Sequence, residues 1–363
     1  MKVSDASRQL TVLLLGSADS IHIFRWAEAL SAEGIDVHVA SVHPTSRTYS
    51  PDISLHIQKV KAPYGYINPW PIRKLIKRIQ PDIVHAHYAT GYGLLGVLTR
   101  FHPLIVSMWG SDVLLFPNKS PFHRAFLKRV LESADRVCST SICMQRAALE
   151  LSPDLTVELT PFGVDHEIFQ FSASSVDNEV ITIGTVKGLA AVYGIDTLIR
   201  AFALAVERVG SHVDLRLAIY GEGGDRAALE ALATQCGLGA KVTFHGRVEH
   251  AAVPEILNSI DIFVALSNSE SFGVSVIEAS STGRPVIVSD ADGLMEVVQP
   301  EETALVVPRN DAKAASDAML RLINDPKLRI DMGKKGRRFV GERFSWNKSV
   351  ETMIAVYKSS VKT

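Results

Sequence analysis

Short apolar runs and amphipathic stretches take turns along this chain in two separate series, and that alternation limits the fold more than any other feature. In the first series Leu10–Leu15 reads as a strand and Gly16–Ser20 as a polar turn. Ile21–Glu33 reads as a helix, with Ile23, Trp26, Ala27 and Leu30 at helical spacing. Gly34 stops that helix, and Val37–Val42 is the next strand. A basic helix spans Pro69–Ile79; Pro81–His87, Pro103–Met108 and Arg136–Ser141 are further strands. The second series runs through strand Val180–Val186, helix Ile195–Val209, strand Leu215–Tyr220, helix Arg226–Cys236 and strand Val242–Phe244. A short helix from about Val253 and strand Ile260–Leu266 follow. Strands alternating with helices predict parallel sheets wound on both faces. The expected class is therefore α/β, with two doubly wound parallel-sheet domains facing a cleft. The polar stretch Phe169–Asn178 is the expected linker, which gives an N-terminal domain over 1–170 and a C-terminal domain over 171–345.

Composition agrees with two cores. The 363 residues are too many for one ordinary domain, and 47% of them are hydrophobic. A formal net charge of −1 argues against bulk nucleic-acid binding. The three cysteines, Cys138, Cys143 and Cys236, are odd in number and form no C-x-x-C, so neither a disulfide framework nor a zinc site is indicated. His85 and His87 stand two apart on one strand without a third ligand at metal spacing. The first apolar run is too short for a membrane span or a signal segment. The chain reads as a soluble, reduced, cytoplasmic protein. The first strand–turn–helix lacks G-x-G-x-x-G, so it carries no dinucleotide fingerprint.

Most of the chemistry is concentrated between Ser267 and Gly293. Strand Ile260–Leu266 leads into a polar loop, then a helix over Phe272–Ser281, which Arg284-Pro285 ends before strand Val286–Ser289. A helix that starts beyond the carboxyl end of a parallel strand offers unpaired N–H groups and a positive dipole end, and together these bind phosphate. Gly273 lets a diphosphate approach the backbone closely. Glu278 lies six residues into the helix counted from Phe272, about 9 Å along the axis at ~1.5 Å per residue, where a carboxylate can accept both ribose hydroxyls. Glu270, ahead of the helix, is placed for the group on the far phosphate.

The arrangement Glu270-x-Phe272-Gly273-x4-Glu278-Ala279-x3-Gly283-x-Pro285-Val286-Ile287 resembles the signature of GT4 retaining glycosyltransferases, whose domains are Rossmann-like and whose fold is GT-B. The resemblance extends from the first strand to the last helix. Thr160-Pro161-Phe162-Gly163-Val164-Asp165 resembles the family's P-x-G-V-D segment, and the helix Trp346–Tyr357 is implied to rejoin the first domain. It further implies a nucleotide diphosphate sugar, UDP- or GDP-linked, as co-substrate, with no cofactor and no metal. The donor set carried over is Gly16, Lys187, Gly221, Arg247, Glu270, Ser271, Phe272, Gly273, Val274 and Glu278. Lys187, Glu270, Asp112 and His22 are the expected catalytic residues, with His87 and Trp109 on the acceptor side.

Two departures from the family stand out. Trp109 occupies the histidine position of the family's His-Gly-x-Asp, so that histidine is not carried over; His22 and His87 are the alternatives. Tyr193 stands where a second cation usually follows Lys187, with Val192 before it. The expectation is slow turnover or a substitute cation, for which Arg25 is the candidate. The acceptor is expected to be a glycan, a small molecule or a lipid-linked sugar. Arg73, Lys74, Lys77 and Arg78 would then attract the anionic inner face of the plasma membrane. The D-x-D at Asp290 and Asp292 is read as a loop near the sugar. Competing readings are a non-catalytic or weakly active nucleotide-sugar-binding protein and an epimerase on the same fold.

Overall fold

The computed structural model describes residues 9–171, 180–210 and 213–361. The chain divides into two compact units, 1–161 with 349–363, and 162–348.

The first unit holds β1 (Thr11–Leu15), α1 (Ile21–Ala32), β2 (Asp36–Ser41), β3 (Ser54–Ile57), α2 (Trp70–Ile79), β4 (Ile83–His87), α3 (Gly91–Thr99) and β5 (Leu104–Met108). It continues with α4 (Ser111–Leu114), α5 (Pro121–Glu132), β6 (Arg136–Ser139), α6 (Ile142–Leu151) and β7 (Val157–Leu159). The seven strands form one sheet in the order β3-β2-β1-β4-β5-β6-β7, and the paired strands run parallel. β1, β4 and β5 are buried along their whole length, as central strands covered on both faces must be. Ser20 caps α1 by accepting from the His22 N–H, and Ile23, Trp26, Ala27 and Leu30 are its buried face, the face its spacing predicts.

The second unit holds β8 (Val180–Val186), α7 (Ile195–Val209), β9 (Asp214–Tyr220), α8 (Arg226–Gln235), β10 (Val242–Gly246), α9 (Val253–Asn258) and β11 (Ile262–Ala265). Then come α10 (Val274–Ser281), β12 (Val286–Ser289), α11 (Asp292–Met295), β13 (Ala304–Val307), α12 (Ala312–Asn324) and α13 (Pro326–Arg343), and the last helix, α14 (Trp346–Val361), starts in this unit. Its sheet has the order β10-β9-β8-β11-β12-β13, again parallel throughout. The chain reverses its direction of travel across the sheet between β10 and β11. That is the kind of switch point beside which open α/β sheets bind ligands.

The two units divide earlier than the polar stretch implies. Phe162 meets the Phe272 ring at 6.3 Å, the Val164 N–H donates to the Phe344 carbonyl at 2.8 Å, and Phe169 is 1% exposed. Aromatic packing therefore draws 162–169 into the second unit. Residues 172–178 of the expected linker lie outside the described residues. α14 changes unit along its length: from Ser349 onward it belongs to the first. There Tyr357, fully buried, hydrogen-bonds His85 Nδ1 at 2.7 Å, and His85 Nε2 pairs with Ser107 Oγ at 2.8 Å.

Candidate functional site

In the second unit, the carboxyl ends of β8, β9 and β11 bring together most of the residues singled out from the sequence. Lys187 follows β8 directly, and its backbone N–H donates to the Tyr220 carbonyl at 2.9 Å. Gly221 explains how closely these two turns meet. A Cβ there would lie 1.8 Å from the Lys187 carbonyl oxygen, and its φ is +142°, so a side chain is excluded twice over. The Lys187 ammonium reaches Glu270 as an ion pair whose side chains are only 10% and 12% exposed. Ser267 Oγ donates to the same Glu270 oxygen at 3.1 Å. Tyr193 lies beneath the ammonium, 5.2 Å from ring centroid to Nζ, a cation–π distance. The position expected to carry a second cation thus carries the aromatic support of the first.

The helix start differs in detail from the sequence reading. α10 begins at Val274, with Gly273 in the left-handed region at φ +95° and no side chain capping the end. Phe272 is not a helical residue. Its ring is 2% exposed and packs edge-on against Phe162 and Phe344, so its side chain serves the core and only its backbone faces the loop. Ser275 Oγ, in the first turn, is buried without a hydrogen-bond partner. An uncapped helix start and an unpartnered hydroxyl together suit an anion. Ser271 joins Glu270 to this start. Glu278 sits four residues in from Val274, about 6 Å along the axis rather than 9 Å. Its carboxylate is 8% exposed and accepts from His250 Nε2 at 3.1 Å.

Arg247 is exposed on the turn after β10. Asp290 accepts from the Arg309 N–H at 3.0 Å and from its Nε at 3.1 Å; Arg309 also reaches the Asn268 carbonyl at 3.4 Å. Among the described residues no three His, Cys, Asp or Glu side chains cluster as a metal site. Two residues here escaped the sequence reading. His250 lies 28 positions before Glu278 and carries no local signal. Arg309 follows β13, a strand the sequence reading left out.

The first unit gathers Gly16, His22, His87, Trp109 and Asp112 around the carboxyl ends of β1, β4 and β5. Gly16 lies close to His87: a Cβ at Gly16 would be 3.7 Å from the His87 Cβ. The His22 and Trp109 rings meet edge-on at 5.5 Å. His87, expected on the acceptor side, is instead enclosed at 1% exposure, between His85 at 3.9 Å and Trp109 at 5.0 Å. Neither of its ring nitrogens has a partner. Burial, then the neighbouring His85 and His22, holds its imidazole well below the ordinary value, so it is neutral. Asp112, expected to be catalytic, turns inward. It accepts the Ala89 N–H at 2.7 Å, the Gly110 N–H at 2.8 Å and the Trp109 N–H at 3.2 Å. Burial pushes its carboxyl up from the ordinary value against the pull of those amides. Its carboxylate holds the Trp109 loop. Arg25 lies on α1, in this unit.

Of the basic cluster, Arg73 is committed to α3, donating to the Leu98 carbonyl at 2.6 Å and the Thr99 carbonyl at 3.2 Å. Lys74, Lys77 and Arg78 remain exposed. Beside them Tyr64, Ile67 and Trp70 are 71%, 61% and 73% exposed. A groove of about 550 Å³ between β3 and α2 is lined by Leu55, Ile57, Lys59, Lys74 and Arg78.

Comparison with known proteins gives a consistent picture. The family model described as Glycosyl transferases group 1 matches residues 167–339, and that described as Glycosyl transferase 4-like matches 11–141. N-acetyl-alpha-D-glucosaminyl L-malate synthase of Bacillus anthracis is 22% identical over 340 residues, 89% of this chain and 87% of that protein. A GDP-mannose-dependent alpha-(1-6)-phosphatidylinositol monomannoside mannosyltransferase of Mycobacterium tuberculosis is 29% identical over 243 residues, 62% of each. Among solved structures, sucrose-phosphate synthase from Thermosynechococcus elongatus superposes with a TM-score of 0.83 at 23% identity, over 97% of this chain and 99% of that one.

Proposed function

Because the chain belongs to the GT4-like glycosyltransferases, with both halves matched by family models and two parallel-sheet α/β domains of the GT-B kind, we propose that it is a retaining glycosyltransferase. It takes a hexosyl group from a UDP- or GDP-sugar held by the second unit and passes it to a glycan, lipid-linked or small-molecule acceptor in polysaccharide synthesis, at the cytoplasmic side of a membrane. The observation that carries this reading is the Lys187–Glu270 pair set beside the uncapped start of α10. A diphosphate at Gly273 and Val274 would draw the Lys187 ammonium to itself and release Glu270 for the sugar hydroxyls.

In the step itself the acceptor oxygen forms a bond to the anomeric carbon on the face the diphosphate leaves. The carbon–oxygen bond to the phosphate breaks, and its electron pair stays with the nucleoside diphosphate. The acceptor proton passes to a phosphate oxygen, so no protein nucleophile is needed. Lys187 and the α10 dipole stabilise the charge that develops on the phosphate. We further propose that the reaction needs no divalent metal, which fits the engagement of Asp290 by Arg309.

The test is a donor screen: melting shifts and hydrolysis with UDP-, GDP- and ADP-sugars, then the anomeric configuration of the product by NMR. Inversion would refute the retaining mechanism. Loss of turnover in chelator, restored by Mg²⁺ or Mn²⁺, would refute metal independence. Tyr193 in the second cation's place favours one other reading, a weakly active nucleotide-sugar-binding protein. Donor binding without transfer to any acceptor would select it.

A further inference from the structure

We propose that His250 is a positioning residue that presents the Glu278 carboxylate to the two hydroxyls of a ribose, so that the second unit selects ribonucleotides over deoxyribonucleotides. The proposal rests on the reading of α10 as a donor-binding helix and assigns a role to a side chain outside it. Glu278 is a carboxylate at 8% exposure, and a buried charge needs hydrogen-bond donors. Among the described residues the donor it has is His250 Nε2, 3.1 Å from Oε1. A carboxylate offers about four acceptor sites on two oxygens, so this bond leaves Oε2 and half of Oε1 for a ligand. A vicinal diol has the two donors that fill them.

His250 is itself held in place. It opens the single turn His250–Ala252 that precedes α9, and its ring lies edge-on to Phe169 at 5.7 Å. Phe169 is 1% exposed, and its carbonyl accepts from Ser281 Oγ at 3.0 Å and from Arg337 at 3.1 Å. The wall behind the imidazole is therefore anchored to α10 and α13. With the ring edge fixed, Nε2–H points one way, and Glu278 adopts a single geometry before any ligand arrives. A preorganised acceptor loses less side-chain freedom on binding than a mobile one. The preference should appear only for ligands that carry the diol, because the phosphate contacts at Gly273 and Lys187 lie elsewhere.

The experiment measures binding of UDP, GDP, their 2′-deoxy counterparts and inorganic pyrophosphate by titration calorimetry. The proteins are the parent, His250→Phe and His250→Gln, with melting curves to check folding. The parent should bind the ribonucleotides more tightly than the 2′-deoxy forms. His250→Phe should lose roughly tenfold of that preference, the lower end for a hydrogen bond to a charged group, and leave pyrophosphate binding unchanged. His250→Gln, which keeps an N–H donor, should restore most of it. An unchanged ribo-to-deoxy ratio in His250→Phe overturns the inference while leaving the donor site standing. So does equal weakening of all ligands, pyrophosphate included. A parent that binds no nucleoside diphosphate overturns the donor reading and this inference with it.

Discussion

Lys187 stands on the ring of Tyr193 and pairs with Glu270, so its ammonium has two partners before any phosphate arrives. Lys187→Ala should reduce the initial rate at saturating donor by about a hundred- to a thousand-fold, the usual loss when one charge-stabilising donor is removed. Tyr193→Lys should raise the parent rate if a second cation is what the site lacks. No gain in a parent that is already fast would mean that another cation of the second unit, such as Arg309, meets that need; Arg309 already reaches the Asn268 carbonyl. Asp112 belongs to a different class of residue. Asp112→Asn turns an NH₂ toward amides that now donate to a carboxylate, and should cost about 1–3 kcal/mol of stability, read as a lower urea midpoint. The helix α10, with Glu270 ahead of it and Glu278 within it, could be found from the sequence, because a loop, a glycine and an eight-residue spacing are local signals. The inward turn of Asp112, the enclosure of His87 and the bond from His250 were not legible there, since each depends on which distant strands end side by side.

At the scale of elements, β4 carries two imidazoles into the core. Burial lowers His85 to about 3 and His87 well below its ordinary value. In the unfolded chain both would titrate near 6.5. Their contribution is complete above that value and is lost progressively as pH falls below it, for His85 until about pH 3, because the unfolded chain takes up protons that the folded one refuses. Each such proton costs about 1.4 kcal/mol per pH unit. The urea midpoint should therefore fall between pH 7 and pH 4, and His85→Gln should make that fall shallower. A slope identical to the parent's would mean that His85 is already protonated in the fold. The sequence showed the strands of the second unit up to β12 because their apolar runs alternate cleanly with amphipathic stretches. It hid α3, whose sequence GYGLLGVLT holds three glycines and no polar face. It also hid β7, three residues long at the sheet edge and only half-buried. In both cases packing, rather than propensity, decides the structure.

For the whole molecule, the exposed Tyr64, Ile67 and Trp70 beside Lys74, Lys77 and Arg78 give the first unit a face that is both apolar and cationic. No described helix is long and apolar enough to cross a membrane, so any contact with a bilayer through this face would be peripheral. Vesicles with a third anionic lipid should carry the protein down on sedimentation at moderate salt. Charge reversal at the three cations should release it, and Trp70→Ala should weaken it. Arg73→Glu is a poor probe because that guanidinium is committed to α3. Sedimentation without protein would leave a soluble acceptor as the better reading.

The return of α14 to the first unit also sets an order of events at the ribosome. The first unit is begun first and finished last: Tyr357, which closes on His85, is made after every residue of the second unit. At ~5–20 residues per second, roughly 10–40 seconds separate the emergence of the two parts of one core. Only at the end of that interval does the second unit have its full sequence, and the first then still lacks the helix that covers His85. Nascent chains stalled just before Ser349 should resist protease across 180–343 and be cut within 11–159; those released at full length should resist in both. A chaperone that acts on this protein during translation would meet its amino-terminal half waiting for its carboxyl-terminal end.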